Sequence, residues 1–145
     1  MKKSNEFTRI VLAVDGSDAS KTAAKKAFSL AKKTGIDVTA LYVIHVPVTA
    51  GPTVQTPYMV DIVQSVKKHG ETVLDEIVDM GSKEGVKVKK VLVDGIPDDE
   101  IINYSKKDDL IVMGSKGHST LGRILIGSVS EKVLHHSDAT VMIVR

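Results

Sequence analysis

The chain has no cysteine and no tryptophan, and only two phenylalanines and three tyrosines among 145 residues. Without cysteine there is no disulfide, no thiolate metal site, no thiol nucleophile and no CxxC redox chemistry. So few aromatic rings cannot furnish a platform on which single-stranded nucleic acid stacks, and the core is expected to be aliphatic. Arginine is scarce as well: Arg9, Arg123 and Arg145 are the only three, where a nucleic-acid groove draws on several, clustered. Nucleic acid is therefore not expected as a partner. The opening MKKSNEFTR lacks the apolar stretch of a signal peptide, and no apolar run approaches the length of a membrane span. The expectation is a cytoplasmic protein with no membrane partner.

What is present is ordinary in bulk. Hydrophobic residues make up 42% and charged residues 26%, the balance of a globular chain rather than a disordered one. Twenty basic and eighteen acidic side chains leave a net charge of +2, and the lysine pairs (Lys25/Lys26, Lys32/Lys33, Lys67/Lys68, Lys106/Lys107) read as solvated helix faces. The length suits a single domain, residues 1–145.

Five β-branched runs predict strands at 8–15, 37–46, 86–94, 109–114 and 139–145. IVLAV and LIVM are continuous apolar runs rather than alternating ones, as expected of strands covered on both faces in a parallel sheet. Helical spacing fills the gaps. Ser17–Lys33 puts Ala23, Ala24, Ala27, Phe28, Leu30 and Ala31 on one face, and Met59–Gly81 repeats Ile62, Val63, Val66, Val73, Leu74, Ile77 and Val78 despite Gly70. IPDDEIINYSKK has Pro97 at a first helical position, acids in its first turn and Lys106 and Lys107 expected in its last, which suits the helix dipole. SVSEKVLHH closes the series. The order β-α-β-α-β-α-β-α-β predicts an α/β fold, a parallel sheet with helices on both faces. PVTAGPTVQTP, residues 47–57, is the one long irregular connection and is expected near the ligand edge of the sheet.

In such sheets ligands sit beyond the carboxyl ends of the strands. Two expected strands end there on suggestive residues, Asp15 in AVDGS and Gly114 in IVMGSKG. Gly114 and Gly117 let the backbone turn sharply and an anion approach. Gly127 and Ser128 then open the last helix with the amides of Ser128, Val129 and Ser130 and a hydroxyl, and Lys116 and Arg123 add charge at the rim. Together they predict a nest for a phosphate chain. Ligand-free readings stand beside it. Ser128 and Glu131 fit a capping box, Gly114 suits a plain strand-ending turn, and Asp15 with Ser17 suits a turn that caps the first helix.

Gly114-x-x-Gly117, nine residues, then Gly127-Ser128 resembles the ATP-binding G-2x-G-9x-G-(S/T) motif of the universal stress protein family. The likeness extends through RIVLAVDGSDAS, LYVIHV and the segment from VDGIPDDE to the end. It implies an open five-stranded parallel sheet of order 3-2-1-4-5, a Rossmann-like α/β layer fold that binds adenine nucleotide, ATP or AMP, and forms a homodimer. By position it implies that Asp15 holds the ribose and that Val43 and Met113 pack by the adenine. Ala13 stands where some members carry proline. Gly114, Gly117, Gly127, Ser128, Val129 and Ser130 are implied as the phosphate holders. In that family the terminal strand pairs with its twin, which here is Thr140–Val144, apolar on both faces and so inviting pairing as a sheet edge.

Other signals are missing. There is no Walker A sequence, no GxGxxG and no GxSxG. His45 and His118 are expected near the pocket, and His135 and His136 at a helix end, none with zinc-ligand spacing. The leading expectation is a regulatory nucleotide-binding protein of the stress-response type. Its rivals are a slow ATPase, with Mg²⁺ on Asp15 or Ser128 and Arg123 as the finger, and an interaction module with an empty pocket.

Overall fold

In the computed structural model the described residues are 6–45, 57–115 and 126–145. They form five strands and four helices in strict alternation: β1 Arg9–Ala13, α1 Asp18–Thr34, β2 Asp37–Ile44, α2 Pro57–Lys83, β3 Val88–Asp94, α3 Pro97–Tyr104, β4 Asp109–Gly114, α4 Ser128–His136 and β5 Thr140–Val144. All four strand pairings are parallel, and the strand order is β3-β2-β1-β4-β5. The expected sheet and its order are therefore present.

Period-two alternation along the central strands sorts the core into two layers. Ile10, Leu12, Val14, Leu110 and Val112 pack with α1 and α2. Val11, Ala13, Ile111 and Met113 pack on the opposite face with Ile101 of α3 and Val133 of α4. Both faces are covered, which is why IVLAV and LIVM carry no polar alternation. Among the described residues no helix is long and apolar enough to cross a membrane.

Several boundaries depart from the periodicity. Val86 lies outside β3, its amide donating to the Gly81 carbonyl at 2.8 Å as α2 unwinds. The expected lysines of the last turn of α3 are not in it. The helix stops at Tyr104 with Ser105 as its C-cap, and the Lys106 amide instead donates to Asp109 Oδ2 at 2.7 Å. α2 is longer than its apolar repeat suggests, and its first half buries little: Val63 remains 40% exposed. From Gly70 onward the same helix packs closely. An added Cβ at Gly81 would stand 2.6 Å from Val88 Cγ2 and 3.0 Å from the Val86 carbonyl oxygen, so this glycine sets how near the helix comes to β3.

At the amino ends of the strands a charge pair locks β1 to β4. Arg9 and Asp109 are register partners, joined by Nε–Oδ1 at 3.1 Å and Nη2–Oδ2 at 2.6 Å. The Arg9 guanidinium also donates to the Tyr104 hydroxyl at 3.1 Å and lies 4.7 Å from the centre of that ring. Hydrogen bonding to Asp109 holds the Arg9 pKa up against the opposing effect of burial. Asp109 is only 1% exposed, so the carboxylate depends on this partner.

Two stability outcomes follow. Arg9→Met leaves a buried carboxylate unpaired and is expected to lower unfolding free energy by about 3 kcal/mol in urea titration; a loss under about 0.5 kcal/mol contradicts the role given to the pair. Gly81→Ala, which in an exposed helix stabilises, is expected here to destabilise by about 1–3 kcal/mol through overpacking. A rise in midpoint would show that α2 is not pressed against β3 at that point.

Candidate functional site

The direction of chain travel reverses beside β1. From β1 the chain crosses through α1 to β2 on one side, and from β4 it crosses through α4 to β5 on the other. The two connections diverge beyond the carboxyl ends of β1 and β4 and leave a crevice between them. A cavity of about 260 Å³ occupies that crevice.

The structure brings most of the expected site residues to this one cavity. Ala13, Asp15, Val43 and Met113 line it from the strand ends, and Gly114, Gly127, Ser128, Val129 and Ser130 line it from β4 and the start of α4. Lys116, Gly117, His118 and Arg123, together with the connection at 46–56, lie outside the described residues. His45 does not line the cavity; its Nδ1 lies 3.4 Å from the Gly95 carbonyl. His135 sits at the end of α4 with Nε2 4.0 Å from Glu131 Oε1, as its place in the helix suggested. Among the described residues no three His, Cys, Asp or Glu side chains gather as a metal site.

The wall made by α4 is rich in donors. The helix is capped by Gly127 with no side-chain hydrogen bond, so the capping box is not formed: Ser128 occupies the first helical position, one place too late for it. The Gly127 amide donates to the Ser115 carbonyl at 2.6 Å. None of the described residues accepts from the amides of Ser128, Val129 or Ser130, the groups that a helix leaves without intrahelical partners. The Ser130 hydroxyl is used structurally, donating to the Gly114 carbonyl at 2.8 Å and fixing α4 to the end of β4.

Neither Gly114 nor Gly127 is required by a left-handed turn. Gly114 and Gly127 are not among the positive-φ glycines, and Gly127 has φ −64° and ψ 161°. Gly114 is required by contact instead: a Cβ there would lie 2.9 Å from the backbone of Ala19 in α1. The sharp turn falls at Gly16, φ +86°, on the opposite wall.

That wall is already capped. The Ser17 amide donates to Asp15 Oδ1 at 2.9 Å, and Ser17 Oγ accepts from the Ser20 amide at 3.2 Å. Asp15 thus forms the expected turn and still lines the cavity, so the two readings of this residue are compatible. Tyr42 was missed by the sequence. Burial, and after it the charge of Asp15, hold its phenol above the ordinary pKa. Pro97 and Ile101 from the first turns of α3 were also missed; with Leu41 they extend the apolar part of the lining. Neighbouring strand residues point to opposite faces, yet at the end of β2 both Tyr42 and Val43 reach the crevice.

The comparisons agree with this architecture. The sequence pattern of the Universal stress protein family matches residues 6–145. A universal stress protein of Methanocaldococcus jannaschii is 36% identical over 143 residues, spanning 97% of this chain and 84% of the relative. Universal stress protein UspA from Lactobacillus plantarum superposes with a TM-score of 0.86 at 26% identity, covering 97% of this chain and 99% of that one. A universal stress protein in complex with cAMP superposes with a TM-score of 0.67 at 25% identity, covering 97% and 98%. The chain belongs to the universal stress protein family.

Proposed function

We propose that this chain binds an adenine nucleotide, ATP or AMP, in the crevice between β1 and β4, and acts through that bound state rather than by turnover. The observation that carries the reading is the start of α4: three successive amides, of Ser128, Val129 and Ser130, have no acceptor among the described residues at the lip of a cavity. Such a helix start favours an anion through its free N–H groups and the positive end of its dipole. Next to it the lining is apolar, from Ala13, Val43 and Met113, a surface on which a flat base packs. Asp15 supplies a carboxylate acceptor for sugar hydroxyls. The donor set is therefore split in the way a nucleotide is, with acceptor-rich phosphates at one end and an apolar ring at the other. The similar protein solved with cAMP supports an adenine nucleotide as the class.

In this reading Gly114, Gly117, Gly127, Ser128, Val129 and Ser130 hold the phosphates, and Lys116 adds charge. The use is regulatory, in the cytoplasm: occupation of the crevice is sensed by a partner protein. Two copies pair through β5, the sheet-edge strand, whose Val141, Met142 and Ile143 are only half-buried.

Gly127 takes a backbone conformation open to any residue, so Gly127→Val adds a side chain at a lining position that the backbone accepts. It is expected to weaken AMP and ATP at least tenfold in calorimetric titration, with an unchanged circular dichroism spectrum. Binding at wild-type strength would remove the amides of α4 from the site. Steady phosphate release from ATP, abolished in Asp15→Ala, would replace the regulatory reading with that of a slow ATPase. For the dimer, sedimentation at micromolar concentration is expected to give twice the 15.6 kDa chain mass, and a single-chain species would contradict the β5 pairing.

A further inference from the structure

Tyr42 belongs to β2, with its ring among the partly buried groups packed against the α1–α2 layer of the core. It also lines the nucleotide crevice. Its place is set by an expensive feature of the sequence. Gly70 stands within a 27-residue helix, where glycine costs about 1 kcal/mol relative to alanine. An added Cβ there would lie 2.8 Å from both Cδ1 and Cε1 of Tyr42, and 3.0 Å from Leu92 Cδ1. The helix gives up a side chain so that this ring can lie beneath it. The His69 ring closes a second side, edge-on at 6.4 Å between centroids and 76° between planes. The ring is thus held on its flanks by α2.

The hydroxyl differs from the ring. None of the described residues hydrogen-bonds it, and burial, then the charge of Asp15, disfavours its ionisation. A neutral phenol both donates and accepts. An ionised carboxylate only accepts, at about four lone-pair positions, and the Ser17 amide is one partner of Asp15. A ribose offers two adjacent hydroxyls, each donor and acceptor. A carboxylate alone satisfies only their donor halves, whereas a carboxylate beside a phenol satisfies both kinds.

We propose that Tyr42, seated by the Gly70 notch and lining the same cavity as Asp15, is a sugar-specificity residue of this crevice, the pair distinguishing a ribonucleotide from its deoxy analogues. The proposal rests on the nucleotide reading and deepens it by naming what selects the sugar. Packing accounts for the ring and for Gly70; the hydroxyl adds a donor and an acceptor at the cavity lining.

Tyr42→Phe removes one oxygen and keeps the ring, so the fold is retained. Calorimetric titration of wild type and Tyr42→Phe with AMP, 2′-deoxy-AMP and 3′-deoxy-AMP separates the possibilities. The expected result is a loss of about five- to tenfold for AMP, the size of one net hydrogen bond. At least one deoxy analogue is expected to change by less than about twofold, because the group that the lost hydroxyl would meet is already missing from it. A merely structural tyrosine would weaken all three ligands by one common factor. That result, or no change in any of them, overturns the proposal while leaving the nucleotide reading intact. Failure of the wild-type chain to bind AMP overturns that reading and this proposal with it.

Discussion

The first turn of α4 exposes backbone amides that have no acceptors among the described residues, and they face the place where the sheet's connections part. Neither condition would serve alone. An uncapped helix start on an open surface is satisfied by water, and a crevice without donors has no preference for an anion. Here the strand order β3-β2-β1-β4-β5 puts the divergence between β1 and β4, and α4 begins on its edge. Gly127 as N-cap leaves the helix without a side-chain acceptor. The Ser130 hydroxyl, bound to the Gly114 carbonyl, ties the first turn of the helix to the end of β4.

The opposite wall has the reverse character. α1 begins just as near the crevice, but Ser17 caps it and Asp15 receives the Ser17 amide. Its positive end is already answered from within the chain. The crevice is therefore polarised, with donors on the α4 side and a carboxylate and a phenol on the α1–β2 side. At the far end of the strands, the pair of partly exposed Arg9 and buried Asp109 ties β1 to β4, the two strands that frame the crevice.

Much of this was legible in the sequence because local pattern and tertiary role coincide. Continuous apolar runs gave β1 and β4 as doubly covered strands, and the alternation of strands with helices gave the parallel sheet. Asp15, Val43, Met113 and the Gly127–Ser130 segment were found together because each lies at an element's end on the same side of the sheet. What was misread depends on contacts across the fold. Gly114 looks like a turn residue, yet its reason is the backbone of Ala19, about 95 positions earlier. The Ser128–Glu131 spacing matches a capping box that is one residue out of phase with the helix. Tyr42 and Gly70 explain each other only when β2 and α2 are packed together. Arg9 and Asp109 are register partners, and nothing local marks either one.

The central claim is that main-chain amides of α4 take the phosphate. Amide-resolved NMR titration with AMP, and in parallel with adenosine, tests it most directly. The account predicts that the Ser128, Val129 and Ser130 amide resonances move strongly with AMP and little with adenosine, while Val43 and Met113 respond to both. If AMP binds and those three amides stay still, or if adenosine moves them equally, the phosphate is held elsewhere and the account fails.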